Sequence, residues 1–431
     1  MGEKVCMFVW NHFTNDARVL RECTSLSESG YDVDLVCIHD PKEKNMPYFE
    51  ERSENFHIYR VKRYPETLVA LQRLYRFLIK NKGIGTLFLI LWILLCFYLP
   101  IIFVPATVLI FLILKTELKR IIIKGNVVVR MILRGFSKNY VIYHSNDLNT
   151  LPQGYICAKW RISRKKLIYD SHEVQTSRTG YDGPFHGRLE KFLVKKIDSM
   201  IVENHTRAKY NEDLYGFYPN VVHNYPFKQI LNSNEKVDIH KLLNLPADEK
   251  ILLYQGGIQI GRGLDKLIQA APKFNEGTLV LIGDGKIKPQ LLKMVDEMGL
   301  QEKVKFIPKV YLSELPKYTR NAYLGFQVLN NVCFNHYSAS SNKLFEYMMA
   351  GVPVVACDFP EIKRVVKENK TGICIDSHDP DQIASAVNQL LADEEFHEEL
   401  SMNSRRASRK YNWEEEKNLF LKIYNEFMKV R

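Results

Sequence analysis

Residues 4–38 read KVCMFVWNHFTNDARVLRECTSLSESGYDVDLVCI, and this stretch decides the fold class. Lys4–Trp10 is a short apolar run, and Asn15–Ser29 carries apolar residues at every third position, as on one face of a helix. Gly30 interrupts this pattern, and Tyr31–Ile38 is a second apolar run. A strand, a helix and a strand in this order predict a βαβ unit with parallel strands and a right-handed crossover.

The same alternation continues along the chain and predicts an α/β protein with two Rossmann-like, doubly wound parallel sheets. In the first half, the further predicted strands are Val127–Val129, Val141–His144, Leu167–Asp170, Ser199–Glu203 and Asn220–His223. In the second half, the predicted strands are Lys250–Gln255, Thr278–Ile282, Val304–Ile307, Ala322–Val328 and Pro353–Cys357.

These patterns predict an N-terminal domain over residues 1–224 and a C-terminal domain over 247–411, which suits a chain of 431 residues. The polar, turn-rich segment 225–246 between them is the predicted linker. A long amphipathic helix over 412–431 ends the chain, and a tail of this kind can pack back on the first domain.

The net charge of +11 suits phosphate-bearing ligands or an anionic lipid surface. Much of the basic excess lies at 60–82 and 115–138, on either side of an apolar stretch, which favours lipid headgroups. No nucleic-acid-binding motif is present, so we expect no nucleic-acid partner. The eight cysteines form no CxxC pair and lie mostly in apolar segments, which indicates a reducing compartment.

Leu87–Leu114 contains no charged residue and exceeds the ~20 residues that a membrane-spanning helix needs. A single crossing would place strands of one predicted sheet on opposite sides of the bilayer. Pro100 and Pro105 divide the stretch into shorter pieces, which predicts an apolar helical hairpin inserted over 84–116. Its basic flanks favour a monotopic or re-entrant segment with both ends on the cytoplasmic side. The alternative is a soluble hairpin buried in a core or a dimer contact.

Ser338–Pro353 reads SASSNKLFEYMMAGVP and is the strongest local signal. Small polar residues precede an apolar helix that opens at Asn342, and its N-terminus presents free N–H groups. Lys343 adds a full positive charge in the first turn, which suits a diphosphate. Glu346 lies one turn further on, where a carboxylate can accept hydrogen bonds from ribose hydroxyls. The alternative is a helix with ordinary exposed charges.

Two glycine turns follow predicted strands of the second half. Tyr254–Gly263 reads YQGGIQIGRG, in which Gly256 and Gly257 allow a ligand to approach the backbone closely. Arg262 precedes a helix and can hold phosphate with its fork of donors. Gly283 begins a similar turn after the next strand. The alternative is a tight strand–helix turn with a solvated arginine.

Tyr169–Glu173, YDSHE, closes a predicted strand of the first half, where ligands of such sheets bind. His172 can move a proton near neutral pH or hydrogen-bond a hydroxyl, and the alternative is a loop or capping residue. Asp32–Asp34 has the DxD spacing of a metal motif but lies inside a predicted strand, so we interpret it as structural. The histidines show no metal-ligand spacing, and we expect no metal.

In their order and spacing, four features resemble the retaining glycosyltransferases of family 4, which have the GT-B fold. These features are NDARV at Asn15–Val19, YDSHE at Tyr169–Glu173, the loop Gly256–Gly263 and the segment Asn342–Pro353. The resemblance implies two Rossmann-like domains that face a cleft. It also implies transfer of a sugar from a nucleotide-sugar donor, with retention at the anomeric carbon and without a metal.

The resemblance implies that Arg262 and Lys343 neutralise the donor diphosphate and that Glu346 binds the ribose. It places His172 near the acceptor and the transferred sugar. We therefore expect His172, Arg262 and Lys343 to be catalytic, and the expected donor-binding residues are Gly256, Gly257, Gly283, Asn342 and Glu346. Ser338 stands where the family has the first Glu of a pair, which leaves open how the donor sugar is recognised. Gly257 stands where the family has an Arg.

We thus expect a hexosyltransferase that uses a lipid-linked or other glycan acceptor in cell-envelope polysaccharide or glycolipid synthesis. It would contact membrane lipids through 84–116 on the cytoplasmic side, and its nucleotide sugar would be a co-substrate, so no cofactor is expected. One alternative is another GT-B nucleotide-sugar enzyme, such as an epimerase. Another is a non-catalytic, nucleotide-sugar-binding partner of a membrane polysaccharide-assembly complex, which Ser338 keeps open. A Rossmann oxidoreductase is disfavoured because neither half has the dinucleotide fingerprint.

Overall fold

A computed structural model of the chain describes residues 2–14, 16–43, 45–177, 184–229 and 237–429. Within these residues the strands are β1 Lys4–Phe8, β2 Asp32–Ile38, β3 Phe49–Ser53, β4 Phe56–Val61, β5 Ile142–Asn146, β6 Lys166–Ser171, β7 Ser199–Val202, β8 Asn220–Val221, β9 Ile251–Gln255, β10 Thr278–Ile282, β11 Val304–Ile307, β12 Ala322–Gln327, β13 Val354–Cys357 and β14 Gly372–Ile375.

The α-helices within the same residues alternate with these strands. They are α1 Ala17–Glu28, α2 Glu66–Lys80, α3 Lys82–Tyr98, α4 Pro100–Lys115, α5 Leu118–Phe136, α6 Leu151–Lys159, α7 Pro184–Val194, α8 His205–Tyr215, α9 Ile239–Leu243, α10 Leu264–Ala270, α11 Lys288–Glu297, α12 Leu315–Thr319, α13 Phe334–Tyr337, α14 Asn342–Ala350, α15 Pro360–Asn369, α16 Pro380–Ala392, α17 Glu394–Ala407 and α18 Trp413–Lys429.

Two sheets carry the fold, and the predicted α/β architecture with two parallel, Rossmann-like sheets is confirmed. The strand order of the first is β3-β4-β2-β1-β5-β6-β7-β8, and that of the second is β11-β10-β9-β12-β13-β14. All defined pairs are parallel except β3 with β4. In the predicted βαβ unit, Met7 pairs with Leu35. Asp16 caps α1 by accepting from the backbone N–H of Val19.

The central strands of the second sheet are buried on both faces, as expected when helices cover both sides of a parallel sheet. Alternate residues of β9 enter different cores. Leu252 and Tyr254 lie in the core that includes α10 and α16 residues, whereas Leu253 packs in the core that includes Tyr347 of α14. This alternation holds α14 against the carboxyl-terminal half of β9.

The chain divides into two compact units. The first comprises Met1–Asp170 and Leu193–Asp198, and the second comprises Ser171–Phe192 and Ser199–Arg431. The domain limits inferred from the sequence remain predictions. Several residues of those predictions lie outside the described ranges, namely Asn15 of the NDARV motif, 230–236 of the linker and 430–431 of the final helix.

The predicted strand at Val127–Val129 is wrong, because these residues lie inside the helix α5. Their β-branched side chains favour a strand locally, but the helix period of the whole segment decides the structure. Val127, Met131 and Gly135 are the buried residues of α5, and their spacing of four places them on one helix face. The strands β3, β4 and β14 were not predicted from the sequence, whereas β13 matches the predicted strand Pro353–Cys357.

The apolar segment forms two helices, and the chain breaks at Leu99 between α3 and α4. Pro105 lies inside α4, so the expected division at this residue is wrong. The two helices contact each other, because Trp92 Nε1 donates to Thr107 Oγ1 at 2.8 Å. The Trp92 ring also packs edge-on against Phe103, with 5.2 Å between ring centroids.

Among the described residues, no single helix is long and apolar enough to cross a bilayer. Two pairs of neighbouring helices reach the required length and composition together, but both are bent. The pair α2 and α3 bends by 117°, and the pair formed by Pro100–Ile113 and α5 bends by 81°.

The first turn of α18 is anchored to the end of β8 and the segment after it. Trp413 N donates to Pro226 O at 2.9 Å, and Glu416 accepts from both His223 N and His223 Nδ1, at 2.7 and 2.9 Å. The buried ring of Trp413 packs near Phe420. These contacts tie the start of the last helix to the segment in which the linker is predicted.

Candidate functional site

Two glycine turns lie side by side at the carboxyl ends of β9 and β10. Gly256 has a φ of 132° and Gly283 a φ of 153°, which other residues rarely adopt. A Cβ atom added to Gly283 would lie 1.9 Å from the carbonyl oxygen of Gly256. The two turns can approach this closely only because residue 283 is glycine, whereas Gly256 is required by its positive φ.

Lys343, in the first turn of α14, brings a buried ammonium group to these turns. Its side chain is 7% exposed, and Nζ lies 4.0 Å from the centroid of the Tyr254 ring. A Cβ atom on Gly256 would be 3.4 Å from Nζ, so the ammonium lies directly beside the first turn. Burial, and secondly the positive charge of Arg262, hold the pKa of Lys343 well below its usual range. An anion bound here would favour the charged amine.

Glu346 lies one turn after Lys343 and is held by a short chain of hydrogen bonds. Gln255 Nε2 donates to Glu346 Oε2 at 2.7 Å, and Thr319 Oγ1 donates to Gln255 Oε1 at 2.7 Å. Gln255 is almost fully buried at the end of β9. The carboxylate of Glu346 is therefore oriented by a side chain that itself has a fixed position.

Several polar atoms around the turns are buried and have no hydrogen-bond partner within the described part of the chain. They include Nε of Arg262, Oδ1 of Asn342 and both amide atoms of Gln327, which ends β12 beside β9. Leaving such a group unpaired costs about 1–3 kcal/mol, so native structures rarely tolerate several together. A polar ligand would satisfy them, and the nearby cations Arg262 and Lys343 favour an anionic one.

His172 lies just after β6, and a buried arginine holds its backbone. Arg207 Nη1 donates to the carbonyl oxygen of His172, and Nη2 donates to the carbonyl oxygen of Asn335 at 3.3 Å. Asn335 Oδ1 in turn accepts from Val174 N at 2.8 Å. The loop that contains His172 is thus fastened to the segment that precedes α14.

Ser338, which replaces the first Glu of the family motif, is fully buried. Its hydroxyl accepts from Arg207 Nε at 3.2 Å, and its carbonyl oxygen accepts from Asn204 Nδ2 at 2.7 Å. Arg207 also pairs with Glu203. Ser338 therefore serves as a packing and hydrogen-bonding residue for Arg207, and it offers no carboxylate at this position.

The structure brings the five predicted donor-binding residues and two of the three predicted catalytic residues to one place, the ends of β9 and β10 and the start of α14. The donor-binding residues are Gly256, Gly257, Gly283, Asn342 and Glu346, and the catalytic residues are Arg262 and Lys343. Gly257 is exposed, and its carbonyl oxygen accepts from the hydroxyl of Tyr254 at 2.9 Å. His172 is not part of this group, and its backbone is held by Arg207.

Sequence reasoning missed Gln255, Gln327 and Arg207 as parts of these arrangements. Gln255 and Gln327 are polar residues at the carboxyl ends of buried strands, and this signal could have found them. The Arg207 side chain pairs locally with Glu203, but its bonds to His172, Asn335 and Ser338 join distant parts of the sequence that no local pattern contains.

The carboxylate of Asp34, in the DxD-like sequence, is already surrounded by donors. Lys138 Nζ lies 2.7 Å and Arg134 Nη2 3.2 Å from Oδ2, and the hydroxyl of Tyr140 donates to the same oxygen. Asp32, Asp34 and His57 bring potential ligand atoms within 4.8 Å of one another. Two cations already neutralise Asp34, however, and this surrounding fits the structural interpretation better than a metal site.

Comparison with known proteins places this geometry in a family context. Residues 235–407 match the model of the glycosyl transferases group 1. A D-inositol 3-phosphate glycosyltransferase of Xylanimonas cellulosilytica is 26% identical over an alignment of 314 positions, which covers 68% of this chain and 73% of the relative. The sucrose-phosphate synthase of Thermosynechococcus elongatus has a TM-score of 0.72 and 17% identity and covers 100% of both chains. Anabaena HepE in complex with UDP-glucose has a TM-score of 0.68 and 13% identity, over 98% of this chain and 99% of HepE.

These likenesses confirm the resemblance inferred from the four motifs. The solved structures establish the fold, and the matching family model covers residues 235–407, which include the glycine turns, Arg262, Lys343 and Glu346. The relatives in sequence establish the class of enzyme. The chain is therefore a glycosyltransferase with the GT-B fold, related to the glycosyl transferases of group 1.

Proposed function

We propose that the chain transfers a sugar from a nucleotide-sugar donor to a lipid-linked saccharide acceptor with retention, as a family 4 enzyme at the cytoplasmic face of a cell membrane. The observation that carries the donor assignment is the buried ammonium of Lys343 beside the turn at Gly256. A buried ammonium group beside a second cation is costly, and the negative charge of a diphosphate would stabilise both cations.

The surroundings of Lys343 fit the parts of a nucleotide diphosphate. Arg262 adds a second cation with an unpaired Nε, and the N-terminus of the nine-residue helix α14 adds free N–H groups. Glu346 is positioned to accept from ribose hydroxyls. HepE, which has the same fold, binds UDP-glucose, and this also supports a nucleotide-sugar donor.

The chemical role of the two cations follows from where charge develops. When the bond between the anomeric carbon and the phosphate oxygen breaks, negative charge grows on the leaving nucleoside diphosphate. Arg262 and Lys343 would stabilise that charge from fixed positions, without reorganisation during the reaction. The acceptor hydroxyl oxygen forms the new bond to the anomeric carbon, and its proton passes to the departing phosphate oxygen, which keeps the electron pair of the broken bond.

The proposed membrane association rests on the apolar surface of α3 and α4. Phe97 is 78% exposed and Ile101 is 89% exposed, and many apolar neighbours on both helices are exposed as well. Soluble monomers rarely expose a continuous apolar surface of this extent. The helices are inserted between strands of one sheet and have basic flanks, which favours a re-entrant hairpin and a lipid-linked acceptor in cell-envelope polysaccharide or glycolipid synthesis.

A donor screen tests the proposal. The purified full chain is incubated with a panel of nucleotide sugars, with and without membranes as acceptor source, and release of nucleoside diphosphate is measured together with sugar transfer to lipid. Acceptor-dependent release from one donor supports transfer. Conversion of the donor without release would indicate an epimerase, and binding without turnover would indicate a non-catalytic partner.

The hairpin topology is tested separately by labelling. In sealed membrane vesicles, the single substitutions Lys82→Cys and Lys119→Cys are both expected to react with an impermeant thiol reagent from the cytoplasmic side. The two positions flank the apolar helices, and a re-entrant hairpin returns the chain to the side from which it entered. The unsubstituted chain controls for its native cysteines. Reaction from opposite sides would contradict the hairpin and the membrane part of the proposal.

A further inference from the structure

The helices α2, α3 and α4 enclose an apolar groove of about 280 Å³. Leu71 and Leu78 of α2, Phe88 and Trp92 of α3, and Ile110 of α4 line it. No charged side chain of the described residues lines the groove. A site for a sugar, a nucleotide or a polar peptide would need hydrogen-bonding groups along its walls, so its lining is suited to hydrocarbon.

The polar side-chain atoms of Trp92 and Thr107, which line the groove, already have hydrogen-bond partners. Trp92 Nε1 donates to Thr107 Oγ1 at 2.8 Å, and Thr107 Oγ1 donates to the carbonyl oxygen of Phe103 at 2.7 Å. These pairs leave few hydrogen-bonding groups that could hold a water molecule in place, and apolar cavities without polar partners stay dry. They also join α3 to α4, so the groove is a formed feature of the hairpin.

The helix α2 forms one wall of the groove and is amphipathic. Its groove side carries Leu71 and Leu78, whereas Arg73, Arg76 and Lys80 lie about half a turn away, on the opposite side of the helix. A helix with one apolar and one basic face is typical of the interface between acyl chains and headgroups. The basic face complements the phosphate of an anionic lipid.

The groove is continuous with the surface for which we propose membrane contact, because α3 and α4 form both. Outside the groove these helices expose apolar side chains such as Ile90 and Leu109. A hydrocarbon chain can therefore move from the bilayer into the groove without crossing a polar surface. A hydrocarbon chain in the groove would cover its apolar walls, which form no hydrogen bonds with water.

We propose that this groove binds one hydrocarbon chain of a phosphate-bearing membrane lipid, with the lipid phosphate near the basic face of α2. This inference rests on the proposed membrane association. It goes further by assigning one lipid chain to a defined site. A lipid bound there would be held by helices of the first compact unit. Lipid-linked acceptors have the same chemistry of a chain and a phosphate.

The test uses the full chain bound to vesicles of phosphatidylcholine and phosphatidylglycerol, with a small share of phosphatidylglycerol that carries a diazirine in one acyl chain. After irradiation, crosslinked peptides are mapped by mass spectrometry. We expect crosslinks concentrated at Leu71, Leu78 and Trp92. Leu71→Trp is expected to lower them at least about tenfold, because the indole fills space that several methylene groups of the chain would occupy.

Ile90→Trp is the matched control, since it makes a similar change on an exposed position outside the groove. It should crosslink like the unsubstituted chain. Leu78→Trp fills the same groove from another position and serves if Leu71→Trp does not fold. Vesicle co-sedimentation is measured for every variant and should stay unchanged, which separates the groove from membrane binding.

Three results would overturn the inference. Crosslinks spread evenly over α3 and α4 and insensitive to both groove substitutions would mean general lipid contact, while the proposed membrane association would stand. Crosslinks between two copies of the chain at the groove would mean a dimer contact. Failure of the unsubstituted chain to sediment with vesicles would reject the groove and the membrane association together, without affecting the donor site.

Discussion

Lys343→Ala is expected to lower kcat/KM for the nucleotide-sugar donor at least about tenfold, which is ~1.4 kcal/mol of transition-state stabilisation or more. The Lys343 side chain lies beside Gly256 and near Arg262, where the proposed function places the charge that develops on the leaving diphosphate. The loss should therefore appear mainly in kcat, because the interaction strengthens as the bond to the anomeric carbon breaks. Nucleoside diphosphate release measures both constants.

Two matched variants separate charge from packing. Lys343→Met keeps most of the side-chain volume over the Tyr254 ring, so its activity should fall as far as that of the alanine variant. Lys367→Met removes a lysine charge from an exposed position on α15 and should leave turnover unchanged. If Lys343→Met retained wild-type kcat with the cognate donor, the assigned role of the ammonium would be wrong.

Glu346→Ala belongs to the same experiment but should show a different kinetic pattern. A carboxylate that holds the ribose contributes to ground-state and transition-state binding alike, so its removal should raise KM, and kcat/KM should fall at least about tenfold. Gln255, which now donates to Glu346, would lose its acceptor. Equal kcat and KM in the variant and the wild type would reject the ribose assignment.

Arg18→Ala is expected to lower the free energy of unfolding by about 3–5 kcal/mol. Arg18 Nη2 donates to both carboxylate oxygens of Asp170, at 2.9 and 2.8 Å, and Arg18 Nε lies 3.0 Å from Glu22. Both carboxylates are 0% exposed. Removing the arginine would take away a cation that faces two buried carboxylates, which is one of the costliest changes to a folded protein.

The measurement is the urea midpoint at unchanged m-value, in the detergent used for purification. Arg73→Ala, on the exposed basic face of α2, is the control and should change the free energy of unfolding by less than about 0.5 kcal/mol. Equal midpoints for Arg18→Ala and Arg73→Ala would show that the buried pair does not stabilise the fold. Asp170 is the penultimate residue of β6.

Hydrophobic periodicity predicted a helix or strand correctly where the residues of that element alone determine its structure. The βαβ unit at residues 4–38 and the helix Asn342–Ala350 were predicted with nearly the observed bounds. The strand predicted at Val127–Val129 failed because a three-residue preference cannot outweigh the amphipathic period of all of α5. The division expected at Pro105 was wrong as well, since one proline within a long apolar helix did not end the helix.

By itself, the sequence determined two parallel sheets, the positions of the glycine turns and the helix that carries Lys343 and Glu346. These features depend on local periodicity, on backbone angles open to glycine and on charges a few residues apart, all of which can be seen in a short stretch of chain. The same local signals, in their order, were enough to indicate the family of enzymes.

Only the tertiary structure decided how these parts contact each other. Lys343 is buried against Tyr254, and Arg207 donates to Ser338, although these residues are far apart in the sequence. Tertiary packing also buries polar atoms of Arg262 and Gln327 without a partner among the described residues. The same is true of the groove that α2 forms with α3 and α4. Burial and hydrogen bonding depend on every neighbour that packing brings within a few ångströms, and a local pattern does not contain those neighbours.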